Sequence, residues 1–259
     1  MNTATFKIWR GDAHEGEFKE YTAEIDEGMV VLDAVHQIQA KHAGDMALRW
    51  NCKAGKCGSC SAEINGMPKL MCMTRMSDMP ADKPVTVEPI KAFPLIKDLV
   101  TDVSSNYRAK KSIKKFKPRP PDHPDGTWRM AQEDVDRVQE FRKCIECFLC
   151  QDVCHVLRDH HLHDEFVGPR TLVYAASLDM HPLDTEDRLQ DLKDDHGVGY
   201  CNITKCCTNV CPEHITITDN AIIPLKERVV DRFYDPLAQL WRRIRPPKTE
   251  TSANSESGE

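Results

Sequence analysis

Cysteine spacing constrains this chain more than any other feature. Cys52, Cys57, Cys60 and Cys72 are spaced C-x4-C-x2-C-x11-C, and Cys144, Cys147, Cys150 and Cys154 are spaced C-x2-C-x2-C-x3-C. Counting back from Cys211 by the offsets that generate the second run from Cys154 lands on Cys201, Thr204 and Cys207. The second run therefore recurs with a hydroxyl in place of one thiol. Twelve cysteines among 259 residues fall well below the roughly 8–10 % of a small disulfide scaffold. A chain of this length buries a core without bridges. No run of about 18 apolar residues occurs, and the opening MNTATFKIWRGDAHEGE lacks the apolar region of a secretory signal. The expectation is a chain in a reducing cytoplasm, where clustered thiols bind metal or do redox work. A net charge of −6 argues against a nucleic-acid partner, whose footprint would be basic.

The first spacing is that of a plant-type 2Fe-2S ligand set, Cys52, Cys57, Cys60 and Cys72. Asn65-Gly66 lies between two short apolar runs and reads as a type I′ hairpin turn. Such a hairpin pairs residues whose numbers sum to about 131, which sets Cys60 opposite Met71 and returns Cys72 to the loop. Gly55 and Gly58 permit positive φ there and let backbone N–H groups approach sulfur. The alternative is a four-cysteine zinc site, which ordinarily pairs two separated knuckles.

The second spacing is that of bacterial ferredoxins, whose fourth cysteine ligates the other cluster. Cross-ligation assigns Cys144, Cys147, Cys150 and Cys211 to a 4Fe-4S cluster. Cys154, Cys201 and Cys207 remain for a second cluster. Thr204 stands where its fourth thiolate belongs, and a hydroxyl is a poor substitute for that soft ligand, so the expected product is 3Fe-4S. Cys206 is left one position out of register, either a buried free thiol or a rescuing ligand.

The rest of the chain organises around these runs. Thr5–Trp9 and Tyr21–Ile25 alternate as half-buried strands, and residues 30–41 place Val31, Leu32, Val35 and Ile38 on one helical face. Val85–Pro89 closes a small sheet. Residues 106–121, containing KKSIKKFKPRPP, read as a basic linker. Gln132–Arg142 reads as a helix, and the chain to about residue 245 as helix and loop. The predicted class is α+β, with a domain of residues 1–105, a helical domain of 106–245 and a disordered tail of 246–259.

The segments RWNCKAGKCGSCSAEING, LMCMTRM, ECFLCQDVC and CNITKCCTNVCPEHI closely resemble the iron–sulfur subunit of succinate dehydrogenase and fumarate reductase, the succinate:quinone oxidoreductases. The resemblance runs from Phe6 to about Asp235. It implies an N-terminal β-grasp ferredoxin domain followed by an all-α helical ferredoxin domain. It implies a flavoprotein partner that carries FAD and oxidises succinate, and one or more membrane-anchor partners at whose interface quinone binds. Electrons would pass through 2Fe-2S, 4Fe-4S and 3Fe-4S in turn, with the subunit held peripherally on the cytoplasmic face of a bacterial plasma membrane. No residue of this chain is then expected to perform acid–base chemistry on succinate. The absence of G-x-G-x-x-G and P-loop patterns agrees.

His155 follows Cys154 where the family's ubiquinone-using members have proline, and His155-Val156-Leu157-Arg158-Asp159 contains no tryptophan. DEFVGPRTL and HPLDTEDR resemble the menaquinone-using branch, so menaquinone is the expected quinone. His155 and Asn202 flank three-iron ligands and read as lining residues. Lys110–Arg119 reads as a solvated linker or a contact for anionic surfaces. His160, His161 and His163 read as a solvated turn rather than a metal site, and Arg232–Arg245 as a helix that either packs or lies near the membrane. Spacing leaves three rivals: fumarate reductase running in reverse, a zinc-stabilised interaction module, and a soluble adaptor for another flavoenzyme.

Overall fold

Alternation at Phe6 and Ile8 puts both side chains on one face of β1 (Asn2–Gly11), where they are fully buried. In the computed structural model, which describes residues 2–240 apart from 238, β1 pairs antiparallel with β2 (Gly16–Ile25), Phe6 opposite Tyr21. Helix α1 (Val31–Lys41) lays Val31, Leu32, Val35 and Ile38 on this face. The Asp33 carboxylate starts the helix by accepting the Val30 N–H at 3.2 Å. Strands β3 (Ser61–Ile64), β4 (Met67–Leu70) and β5 (Val85–Glu88) complete a five-stranded sheet in the order β2-β1-β5-β3-β4. Strand β5 runs parallel to β1, and every other pairing is antiparallel. A mixed sheet with one crossing helix is the β-grasp arrangement implied by the resemblance.

The hairpin turns where the sequence indicated. Asn65 and Gly66 take φ of 50° and 76°, Ser61 faces Leu70, and the Met71 N–H donates to the Cys60 carbonyl at 3.1 Å. Cys72 thus lies beside Cys60. A ribbon of β6 (Leu95–Lys97) and β7 (Val100–Thr101) leads out of the sheet.

From residue 104 onward the described residues are helical or irregular, apart from an isolated bridge between Pro118 and Asp184. Helices α2 (Ser104–Ser112) and α3 (Gln132–Gln139) precede two short helices, α4 (Leu149–Asp152) and α5 (His155–Arg158). Then come α6 (Gly168–Asp179), α7 (Leu189–Asp194), the short α8 (Cys206–Asn209) and α9 (Ile223–Phe233), the last preceded by a π-helical turn over Ile217–Ile222. Leu172 and Ala176 of α6, Leu192 of α7 and Leu225 of α9 form their shared core.

The stretch read as a basic linker has more structure than its composition suggests. Its first part continues α2, Ile113 is buried in the helical core, and Lys110, Lys114 and Arg119 pair with Glu146, Asp191 and Asp122. The buried Arg188 guanidinium clamps it by donating to the Lys114 and Lys115 carbonyls at 2.9 and 2.8 Å while pairing with Asp184. Apart from Asp122, these partners lie far away in sequence, so composition does not reveal them. The proposed tail, 246–259, and Trp241–Arg245 lie outside the described residues.

A buried charge network joins the sheet to the helical part. Glu63 on β3, fully buried, receives Arg158 of α5 at 2.5 Å and Lys91 at 2.9 Å. Asp152 of α4 accepts the Ala92 N–H at 2.9 Å, and burial pushes its carboxyl up to about 6. Removing one member leaves a buried charge with reduced compensation. Arg158→Met is therefore expected to cost about 3 kcal/mol, and adding Glu63→Gln should restore part of it. Urea unfolding of the two variants checks this; equal midpoints for Arg158→Met and wild type would refute it.

Candidate iron–sulfur centres

Three groups of thiols emerge from this framework. Around the first, the Cys52 sulfur accepts the N–H groups of Ala54 and Lys56 at 3.4 and 3.3 Å. Gly55 and Gly58 both take φ of +67°, the conformation that turns the loop about its sulfurs. Burial opposes ionisation of Cys57, but hydrogen bonds from Cys52 and Ser59 prevail and bring it down to about 7. Across the hairpin, burial pushes Cys60 up to about 12, with Cys72 as its thiol neighbour.

The two ferredoxin-type runs have matching backbones. Glu146 and Phe148 flank Cys147 with φ of 56° and 62°; Ile203 and Lys205 flank Thr204, both with φ of 62°. Left-handed conformations are uncommon in residues other than glycine, so two pairs at equivalent positions fix the alignment. Helices α4 and α8 begin at the corresponding residues, Leu149 and Cys206. Thr204 thereby occupies the place that Cys147 fills in the first run.

The helical part brings the remaining thiols close to one another. Burial pushes Cys147 up to about 12, and the charges of Cys144 and Cys211 act in the same direction. Burial also raises Cys150, whose thiol neighbours include Cys144, Cys147 and Cys211. In the third group, burial pushes Cys154 up to about 11, followed among other influences by Cys206 and Cys207. Cys207 is raised by burial and by Cys206 and Cys201, while Thr218 opposes the shift through a 3.4 Å contact with its sulfur. A cavity lined by Cys154, Cys201, Thr204, Cys206 and Cys207 marks this third site. Buried thiols of this kind stay protonated by themselves, and cationic iron supplies the charge that ionises them. Among the described residues, no three His, Cys, Asp or Glu side chains converge closely enough to hold a single metal ion.

The groups form a series in space. A Cβ on Gly58, in the first loop, would lie 2.5 Å from the Cys147 Cα, and the Ser61 hydroxyl donates to the Cys147 carbonyl at 2.8 Å. Lys56 pairs with Glu213, two residues beyond Cys211, at 2.8 Å. Cys150, Cys154 and Cys207 share a second buried cluster, separate from the one that holds Cys60, Cys72 and Cys147. The order is the first quartet, the second quartet, then the group around Cys154.

Residues 5–108 match the family described as 2Fe-2S iron-sulfur cluster binding domain, and residues 140–215 the family described as 4Fe-4S dicluster domain. A fumarate reductase iron-sulfur subunit of Mycobacterium tuberculosis is 33 % identical, over 76 % of this chain and 80 % of its own length. A succinate dehydrogenase iron-sulfur subunit of Paracoccus denitrificans is 30 % identical over 90 % of each chain. The chain belongs to the family of succinate dehydrogenase and fumarate reductase iron–sulfur subunits. A chain in the structure of the Mycobacterium smegmatis Sdh1 complex in the apo form superposes with a TM-score of 0.87 at 61 % identity, covering 91 % of this chain and 98 % of that one.

The weaker sequence signals resolve differently within this iron–sulfur subunit. The ring of His155 and the amide of Asn202 meet at 2.7 Å and line the cavity of the third group. His160 and His161 are exposed, while His163 packs edge-on against Phe93 with ring centroids 6.3 Å apart. Cys206 is half-buried, unlike the buried free thiol expected of it. Sequence reasoning missed Ser61 and Thr218, whose hydroxyls reach the cysteine runs only through tertiary contacts. Helix α9 ends at Phe233, and Leu237 and Leu240 beyond it are exposed. None of the described helices is long and apolar enough to cross a membrane.

Proposed function

We propose that this subunit conducts electrons from the FAD of a flavoprotein partner to menaquinone at a membrane-anchor partner, in an enzyme working as succinate dehydrogenase. Cys52, Cys57, Cys60 and Cys72 would hold 2Fe-2S; Cys144, Cys147, Cys150 and Cys211 would hold 4Fe-4S; Cys154, Cys201 and Cys207 would hold 3Fe-4S. Clusters supply one-electron carriers whose potentials follow cluster type, hydrogen bonding to sulfur and burial. The observation that carries the reading is the spatial series of the three thiol groups, which matches the order of transfer.

The chain's own residues prepare each site. Backbone N–H groups of Ala54 and Lys56 stabilise charge on the Cys52 sulfur, and the Ile215 N–H does the same for Cys211 at 3.4 Å. Buried Leu149, Phe166 and Leu157 keep water from the helical part around the second and third groups. The likeness to the Sdh1 chain supports the dehydrogenase direction. The His155–Asn202 contact, where ubiquinone-using relatives have proline, supports menaquinone. The subunit would sit peripherally on the cytoplasmic face of the bacterial membrane, held by its anchor partner.

Purification of the native complex tests this reading. Succinate oxidation should reduce menaquinone analogues faster than ubiquinone analogues and outpace fumarate reduction, and the oxidised complex should show a 3Fe-4S paramagnetic signal. Anaerobic material that is colourless and iron-free, or contains zinc without acid-labile sulfide, would refute it.

A further inference from the structure

We propose that Cys206 is a latent fourth iron ligand, able to close the site of Cys154, Cys201 and Cys207 into a four-iron cage. The proposal rests on the three-iron assignment of that site. Four thiols, not three, line its cavity, together with Thr204. The matched backbones place Thr204 at the missing ligand position, and its hydroxyl lies 3.3 Å from the Cys206 sulfur. The extra thiol therefore stands at the open corner of the site.

Packing does not account for a thiol at this position. Its counterpart in the first run is Leu149, which is buried in the hydrophobic core, whereas Cys206 is half-buried at the first residue of α8. The Thr204 hydroxyl gives the thiol a hydrogen-bond partner while the corner is open. A thiolate suits iron far better than that hydroxyl does. Lys205, between the two, is left-handed with φ of 62°, and the turn it makes sets the Thr204 hydroxyl against the Cys206 sulfur.

The conversion balances with ferrous iron as co-reactant. An oxidised [3Fe-4S] core of charge +1 takes up one Fe2+ and one electron to give a [4Fe-4S] core of charge +2. A bond forms between the new iron and the Cys206 sulfur, and the S–H bond breaks with its proton released to solvent. The electron comes from succinate oxidation through the preceding centres. Nuclearity at the quinone end then follows ferrous iron supply under reducing conditions.

The test uses the intact complex, treated anaerobically with ferrous iron and dithionite, then freed of unbound metal and reoxidised mildly. Wild type is expected to lose its three-iron paramagnetic signal and gain one iron per subunit. Cys206→Ser and Cys206→Ala should retain the signal and gain no iron. Thr204→Ala, which keeps the thiol and removes its hydrogen-bond partner, should convert at least as fully as wild type, and it decides the matter should the Cys206 variants fail to assemble. A wild-type signal that iron and reductant leave unchanged, or full conversion of Cys206→Ala, overturns the latent-ligand proposal. A resting complex with no three-iron signal would instead strike the assignment of the site.

Discussion

Thr204→Cys is expected to turn the third centre of the resting complex from 3Fe-4S into 4Fe-4S without added iron. Matching left-handed residues flank Thr204 and Cys147, so a thiol at 204 would enter the site from the position that Cys147 uses in the other run. The three-iron paramagnetic signal should disappear, and iron content should rise by one per subunit. Electron delivery to quinone should fall as well, because replacing three irons by four changes the potential of the last carrier. A one-electron shift of about 59 mV alters the transfer equilibrium tenfold, so quinone reduction is expected to fall in step with the measured drop in potential of this centre. Paramagnetic resonance and a succinate:quinone assay on the same preparation check both parts. An unchanged spectrum would show that Thr204 does not occupy a ligand position.

Gly58→Ala is expected to disrupt the contact between the first loop and the run containing Cys147. The added Cβ would meet the Cys147 Cα at 2.5 Å and its backbone N at 2.9 Å, while φ of +67° disfavours any side chain. Backbone atoms cannot move aside as the end of a flexible side chain can. Left-handed strain of about 1–2 kcal/mol adds to overpacking of about 1–3 kcal/mol. Gly55→Ala serves as the comparison, since it has the same φ but meets the exposed Met73 side chain. The Gly58 variant should show the larger fall in urea midpoint and the slower reduction of the second centre by succinate, followed by rapid-freeze spectroscopy. Equal behaviour of the two variants would show that the approach to Cys147 does not matter.

Local patterns carried the sequence reading far because they specify local geometry. Asn65-Gly66 favours one type of turn, and that turn alone sets the register that brings Cys72 beside Cys60. Periodicity over residues 30–41 likewise anticipated α1 to within a residue. The recurrence from Cys201 to Cys211 identified Thr204 as the irregular position, since ligand spacing in these runs is governed by a few turns of backbone.

Composition was a poorer guide wherever distant partners decide structure. Lys110–Arg119 looks solvated as text, yet Arg188, Asp191 and Glu146 organise it through contacts with residues up to 77 positions away. Glu63 gives no sign in sequence of being fully buried, and only its meeting with Arg158 and Lys91 makes that burial tolerable.

By itself, then, the sequence determined the spacing of the thiols and the hydroxyl at Thr204 that interrupts its recurrence, because both are short-range features. Only the tertiary structure decided that the first loop meets the run containing Cys147 and that Cys206 lies beside Thr204 in one cavity with Cys154, Cys201 and Cys207. Proximity across the fold depends on how the sheet and helices pack, through contacts between residues remote in the chain, and cysteine spacing carries no record of it.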